Sequence, residues 1–144
     1  MPNGEGYAGG GVYMRPRDLL KIGQVFLDNG TWKGRRIVRA SWVKRSTSPP
    51  PEIYGADAAK DPIGKDGLAW HLSPITSGGH IYYAYNANGN GGQVLLVVPE
   101  LDLTVVFTGG NYRQGNWIKW IPDIVGGEII PAIDKKHFHP HRVN

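Results

Sequence analysis

The 144-residue sequence contains no cysteine. Disulfide bridges, thiolate-ligated zinc sites and cysteine nucleophiles are therefore excluded, while the redox compartment is left open. Long hydrophobic runs are also missing, since no apolar stretch exceeds the five residues of Val94–Val98. A membrane-spanning helix needs roughly 20 apolar residues, so none is expected.

The first residues contain neither a basic start nor an apolar segment. We therefore expect no signal peptide, and the localisation stays open. Acidic residues are in the minority, with 12 Asp and Glu against 16 Lys and Arg, which gives a net charge of +4. No recognition helix or RNA-binding motif accompanies the basic residues, so we interpret them as solvated surface and expect no nucleic-acid partner.

Length and composition indicate one globular domain, because 40% of the residues are hydrophobic and 19% are charged. We assign residues 1–133 to this domain and residues 134–144 to a basic, histidine-containing tail. The 21 glycines and 11 prolines separate short segments, which is typical of turns between short elements.

Hydrophobic periodicity predicts an α+β fold, in which helices flank an antiparallel sheet of three to four strands. The predicted helices cover residues 16–29 and 40–46, the latter with Trp42 and Val43 inward, and a long loop covers 48–66. The predicted strands cover 67–72, 81–85, 94–98 and 103–108, with a turn at 73–79. A terminal helix follows, with Ile121, Val125, Ile129 and Ala132 at helical spacing.

Several short motifs admit a chemical interpretation that their context does not favour. Gly4–Gly9 fits the G-x-G-x-x-G dinucleotide fingerprint but lacks a preceding strand, so no cofactor is expected. Ser41 and Lys44 fit S-x-x-K, a serine nucleophile motif, but we favour the alternative that Ser41 begins a surface helix and Lys44 is solvated. We interpret His71 as a packed strand residue, because no acidic partner is evident in the sequence.

Three histidines alternate near the end of the chain, at His137, His139 and His141. In an extended segment their side chains would share one side and could bind a transition metal. The alternative is a frayed C-terminus, which we favour. We therefore expect no metal site, with these three residues as the weak candidates.

The glycine-rich segment from Asn88 to Gln93 lies between two apolar strands. Glycine at such a junction allows another backbone or a ligand to approach closely. A backbone N–H at this edge could donate to a substrate oxygen. The alternative is a plain hairpin turn.

Several segments, in this order, resemble the C-terminal part of the serine β-lactamase-like family. That family contains class C β-lactamases, DD-peptidases and β-lactamase-fold esterases. The resemblance covers roughly residues 8–133, and its most specific feature is the order of the segments. The matching segments are Gly9–Leu19, Asn29–Ile37 with Trp42-Val43, Gly89–Gln93, Val97–Leu103 and Val105–Thr108.

The resemblance implies roles for individual residues. Ser41 would lie on a surface helix and would not be the nucleophile. Asn90, Gly91 and Gly92 would form the third active-site motif, where relatives carry K-[ST]-G or H-x-G, and would bind substrate. The backbone N–H of Gln93 would be one oxyanion-hole donor. Asn90 replaces the usual Lys or His, which suits esterase-like members better than β-lactam binders.

The resemblance also implies that important parts are missing. The family's nucleophilic Ser-x-x-Lys, its Tyr-x-Asn or Tyr-x-Ser motif and the first strands of its sheet lie upstream of the matching region. Tyr85-Asn86-Ala87 does not fit the Tyr-x-Asn pattern. Uncovered strand residues would each forfeit about 1.5–3 kcal/mol. We therefore expect a rearranged fold, a homo-oligomer or a chain supplying the missing N-terminal half to cover the sheet.

These observations lead to two hypotheses. In the first, the chain is the C-terminal part of a serine hydrolase that performs acyl transfer on esters or amides, and it is inactive alone because it lacks the nucleophile. In the second, the chain is a non-catalytic module derived from that fold, which self-associates or binds a small molecule. Members of the family are often extracytoplasmic.

Overall fold

The computed structural model of the chain describes residues 10–60 and 65–137, without the side chains of Ala59 and of residues 134–137. The G-x-G-x-x-G segment and His139 and His141 lie outside the described residues, as does the side chain of His137. No helix in the described ranges has the length and apolar character needed to span a membrane.

The predicted α+β class is confirmed. The helices are α1 (Pro16–Leu27), α2 (Ala40–Ser46), α3 (Pro51–Tyr54) and α4 (Ile130–His137). The strands are β1 (Thr31–Trp32), β2 (Arg35–Arg36), β3 (His71–Ser77), β4 (His80–Asn88), β5 (Gln93–Val98) and β6 (Leu103–Thr108). Single 3₁₀ turns occur at Ala58–Lys60, Pro99–Leu101 and Asn116–Lys119, and a π-helix covers Ile121–Ile129.

The main sheet is an antiparallel meander in the order β3-β4-β5-β6, as the short gaps between the predicted strands indicated. β1 and β2 form a separate two-stranded hairpin. Its turn residues, Lys33 and Gly34, both have positive φ, as a type I′ hairpin turn requires.

Strand β5 is the centre of the sheet and is buried on both faces. On one face, Leu95 and Val97 form a cluster with Trp70 and Tyr85, and α1 covers this cluster with Leu19, Phe26 and Leu27. On the other face, Val94, Leu96 and Val98 join Ile75 and the terminal-helix residues Val125 and Ile130. The chain's own helices therefore cover both faces of β5, whereas Ile81 and Tyr83 of β4 remain exposed.

The position of β3 differs from the prediction. The strand runs from His71 to Ser77, whereas strand 67–72 followed by a turn at 73–79 was predicted. Residues 67–70 instead form a turn, in which the Gly67 N–H donates to the Trp70 carbonyl at 2.8 Å. The β3–β4 turn consists only of Gly78 and Gly79, both at positive φ, so β3 continues as far as Ser77.

Two further predictions are wrong in detail. Val43 is buried as predicted, but Trp42 is 49% exposed. Because neighbouring helical residues point about 100° apart, this short helix buries only one of them. The predicted loop at 48–66 contains α3 and a 3₁₀ turn, which begin after Pro49 and Pro50.

The terminal helix, defined here as Ile121–Ile129 together with α4, begins as a π-helix and continues as an α-helix. In the π-helical part the Ile130 N–H donates to the Val125 carbonyl, five residues back. The wider turn places Val125 and Ile130 inward and fully buried. Ala132, predicted to face inward, is exposed.

One buried hydrogen bond joins the terminal helix to β3. In a continuing π-helix the Gly126 carbonyl would accept a hydrogen bond from the N–H of residue 131, five residues later. Pro131 has no N–H, so this bond cannot form. The hydroxyl of Ser77, itself buried, donates to that carbonyl at 2.6 Å. Ser77 thus satisfies a buried backbone acceptor that the helix cannot satisfy.

We predict that Ser77→Ala destabilises the protein by about 1–3 kcal/mol, because the Gly126 carbonyl loses its partner in a buried position. Pro131→Ala restores a backbone N–H, so Ser77→Ala should cost less in that background. Urea unfolding of the two single variants and the double variant measures this coupling. Equal costs of Ser77→Ala in both backgrounds would contradict the assignment.

A second prediction concerns Tyr85, which packs edge-on against Trp70 with ring centroids 5.1 Å apart. Burial raises the pKa of Tyr85 to about 12. In the unfolded chain this phenol ionises near pH 10. The contribution of Tyr85 to the free energy of unfolding is therefore complete below pH 10 and is lost as the pH rises from 10 to 12. At pH 11 the loss should be roughly 1 kcal/mol. Comparing urea unfolding at pH 9 and pH 11 should show a smaller decrease for Tyr85→Phe than for the wild type.

Candidate functional site

The glycine-rich junction forms a closed turn between β4 and β5. The Gly89 N–H donates to the Gln93 carbonyl at 2.7 Å, and the Gly92 N–H donates to the Gly89 carbonyl at 3.1 Å. Gly92 has a φ of +86°, a region that other residues rarely adopt. The four predicted site residues, Asn90 to Gln93, therefore lie together in one rigid turn.

The glycines of this turn are needed because the protein's own aromatic residues approach its backbone. A Cβ atom on Gly92 would lie 2.8 Å from atoms of both Trp117 and Trp120, and one on Gly91 would lie 2.9 Å from the Tyr112 ring. Gly91 also accepts a backbone hydrogen bond from Asn111 at 2.9 Å. The close approach inferred from the sequence is therefore made, at these two positions, by residues 111–120.

Gln93 supports the turn with its side chain. Its Oε1 accepts from the Gly91 N–H at 3.1 Å, while its Nε2 donates to the Gly109 carbonyl at 2.6 Å and to the Tyr112 hydroxyl at 3.1 Å. The N–H and carbonyl of a strand residue point the same way, and this carbonyl faces Gly89. The Gln93 N–H is therefore directed toward β4. Asn90 is exposed, whereas Gly91 and Gly92 are buried.

An open groove of about 390 Å³ lies beside this junction. It is bounded by the beginning of β3, the end of β4 and the start of the terminal helix. Trp117 belongs to both features, because its Cβ would lie 2.8 Å from a Cβ added to Gly92 and the residue lines the groove. The volume falls within the usual range for small-molecule sites, roughly 300–1,000 Å³.

One wall of the groove is apolar and the other is polar. Trp117, Ile118, Ile121 and Pro122 line the apolar side. His71, Ser73, Asn86 and Asn88 supply the polar groups. Such a pairing can hold the apolar part of a ligand while fixing the orientation of its polar part.

The polar wall is organised by a chain of hydrogen bonds. The Asn88 Nδ2 donates to the Asn86 Oδ1 at 3.0 Å, and the Asn86 Nδ2 donates to the Ser73 Oγ at 2.5 Å. Asn86 is only 2% exposed, so its amide is fixed by these partners. Because the Ser73 oxygen accepts here, its hydroxyl proton remains available to donate to another acceptor.

His71 has an acidic partner, contrary to the interpretation of the sequence. Its Nδ1 lies 2.9 Å from the Asp66 Oδ1, and the two side chains are 54% and 56% exposed. His71 is thus an exposed residue at the edge of the groove. In the described part of the chain, no hydrogen bond joins His71 to Ser73, so Ser73 has no base positioned to activate it.

The other residues considered from the sequence as a nucleophile or as metal ligands do not form a site in the described part of the chain. Ser41 and Lys44 are exposed on α2. Within residues 10–60 and 65–137, no group of three or more His, Asp or Glu side chains could hold a metal ion. A second groove of about 340 Å³ lies on the α1 face of β3 and β4, between Pro49, Tyr83 and Pro99. It lacks the hydrogen-bonded polar wall of the first.

The spacing of four residues in the sequence indicates the polar wall. His71 and Ser73 on β3 and Asn86 and Asn88 on β4 are two residues apart, so each pair shares one face of a strand. The same face carries Ile75 and Ala84 further along. Recognising the pattern required the correct limits of β3. No protein-family model matches the chain.

We predict that Gly92→Ala destabilises the protein by at least about 2 kcal/mol, because it combines positive φ with overpacking against Trp117 and Trp120. Gly110→Ala is the matched control in the neighbouring loop, since its Cβ would meet nothing within 4 Å. Gly110→Ala should change the free energy of unfolding by less than about 0.5 kcal/mol. Urea unfolding measures both, and equal effects would contradict the assigned role of Gly92.

Proposed function

We propose that the chain is the C-terminal part of a β-lactamase-related serine hydrolase that performs acyl transfer on ester or amide substrates. The observation that carries the proposal is the hydrogen-bonded glycine turn at Asn90–Gln93, which adjoins the groove through Trp117. The element order also supports it, because a helix, a tight hairpin, a second helix and an antiparallel meander occur in the order that the resemblance implies.

In this proposal the chain contributes the substrate-holding side of the active site. Asn90 at the exposed tip of the turn contacts the polar end of the substrate. The apolar wall formed by Trp117, Ile118 and Ile121 holds an acyl or alcohol group. The N–H groups of Gly89, Gly91 and Gly92 already donate within the turn. The exposed side-chain amide of Asn90 is therefore the donor that the turn offers to the reacting carbonyl, where developing negative charge is stabilised most effectively.

The nucleophile comes from another polypeptide or copy. Covalent catalysis needs a nucleophile with an adjacent base, and the exposed Ser41 on α2 does not provide one. A partner can join the sheet at β6, which ends it and carries neither proline nor charge. β3, at the opposite end of the sheet, contains Pro74, which cannot donate to a ladder.

A second candidate is a non-catalytic module that binds a small molecule. Burial of β5 by the chain's own helices favours it, because the described domain has its own core. In that case the groove binds a ligand without transforming it, and addition of a partner produces no turnover.

The test is complementation with a polypeptide carrying the Ser-x-x-Lys and Tyr-x-Asn segments of a β-lactamase-fold esterase. We predict that p-nitrophenyl butyrate forms an acyl-enzyme on the added serine, detectable by mass spectrometry, only when both polypeptides are present. Gly91→Val should abolish it by disrupting the turn, whereas Ser41→Ala should leave it unchanged.

Two results would count against the proposal. An acyl adduct on Ser41 would show that the nucleophile had been assigned wrongly. Folded complexes without any acyl-enzyme, together with saturable binding of the ester by the chain alone, would favour the binding module.

A further inference from the structure

The chain holds two matched pairs of histidine and carboxylate. His71 Nδ1 lies 2.9 Å from Asp66, and His80 Nε2 lies 2.8 Å from Glu100. The side-chain exposures are closely similar, at 54% and 56% for the first pair and 55% and 51% for the second. The pairs differ in their surroundings, because His71 lines the 390 Å³ groove and His80 lines neither of the two grooves.

The position of His71 places its ring beside the polar wall. His71 is directly opposite Asn86 in the β3–β4 register, and Ser73 follows two residues later on the same face. Asn86 donates to the Ser73 Oγ, which directs the Ser73 hydroxyl proton to another acceptor. A substrate carbonyl in the groove can therefore accept from Ser73 while it lies beside the imidazole.

We propose that His71, held by Asp66, acts as a general base for direct hydrolysis of small esters bound in this groove. Asp66 is the positioning residue, since its carboxylate occupies Nδ1 and leaves Nε2 to accept a proton. The inference rests on the proposed function only for the choice of an ester as substrate. It requires neither the missing serine nor a partner chain.

The reaction balances with water as the only co-reactant. Nε2 removes a proton from water as the water oxygen forms a bond to the ester carbonyl carbon. The carbonyl oxygen takes up the electron pair and accepts a hydrogen bond from Ser73. The tetrahedral intermediate then expels the alkoxide, the C–O bond breaks, and the imidazolium returns the proton to that leaving group. The products are a carboxylic acid and an alcohol.

The experiment measures hydrolysis of p-nitrophenyl acetate by the full chain alone. We expect His71→Gln to lower the protein-dependent rate about tenfold or more, because a positioned general base contributes roughly 10²–10⁴-fold. His80→Gln is the matched control and should keep the rate within about twofold, because His80 lines neither groove and so has no bound ester beside it. All these side chains are exposed, so the variants should fold, which circular dichroism verifies.

The positioning role of Asp66 is tested by measuring kcat and KM separately, because a purely structural role would not change kcat alone. Asp66→Asn should lower kcat and leave KM unchanged, and Asp66→Glu should restore part of kcat. The wild-type rate should fall in heavy water, as expected when proton transfer occurs in the transition state. Equal losses for His71→Gln and His80→Gln, or a rate unchanged in heavy water, would overturn the proposal.

The two proposals can fail separately. Loss of the His71-dependent rate in the chain alone, with the acyl-enzyme still forming on complementation, would reject only the general-base role. Failure of complementation with the His71-dependent rate intact would reject only the partial serine hydrolase.

Discussion

The double-sided burial of β5 determines how the rest of the chain is arranged. Its residues from Val94 to Val98 are between 0% and 2% exposed. Each large apolar side chain moved out of water contributes about 1.5–3 kcal/mol, so both faces of this strand need a cover. α1 provides one cover and the terminal helix the other. The glycine junction lies at the start of β5, and its place beside the terminal helix therefore follows from this burial.

The second cover depends on the change from π-helix to α-helix. The wide turn between Ile121 and Ile129 lets Val125 and Ile130 both reach the core. The same geometry leaves the Gly126 carbonyl without a helical partner, and Ser77 on β3 supplies one. This hydrogen bond joins β3 to the helix, alongside the packing of Ile75 against Val125 and Ile130. The groove is the space that remains where the two elements separate, near Ile121 and Ser73.

Most elements could be predicted because a local rule determined each of them. Pro16 and Asn29-Gly30 mark the two ends of α1, and the apolar run of β5 allows no other reading. β3 could not be placed in this way, because Trp70 and Leu72 resemble strand residues on either side of its true start. A shift of strand limits changes which residues are taken to share a face with Asn86. The groove and the Asp66–His71 pair therefore could not be predicted from the sequence. The π-helix could not be predicted either, because its period differs from that of an α-helix.

Stability alone does not account for the polar residues of the groove. An exposed side-chain contact such as Asp66–His71 contributes about 0–1 kcal/mol, so it adds little to the fold. Asn86 occupies a buried position on the same sheet face as Ala84 and Leu96, where an apolar side chain would pack without needing partners. A buried amide is tolerated only when its hydrogen bonds are made, and Asn88 and Ser73 make them. These bonds leave the Ser73 hydroxyl proton for another acceptor, and Ser73 lines a groove that also has an apolar wall. Ligand binding therefore explains the polar face better than stability does.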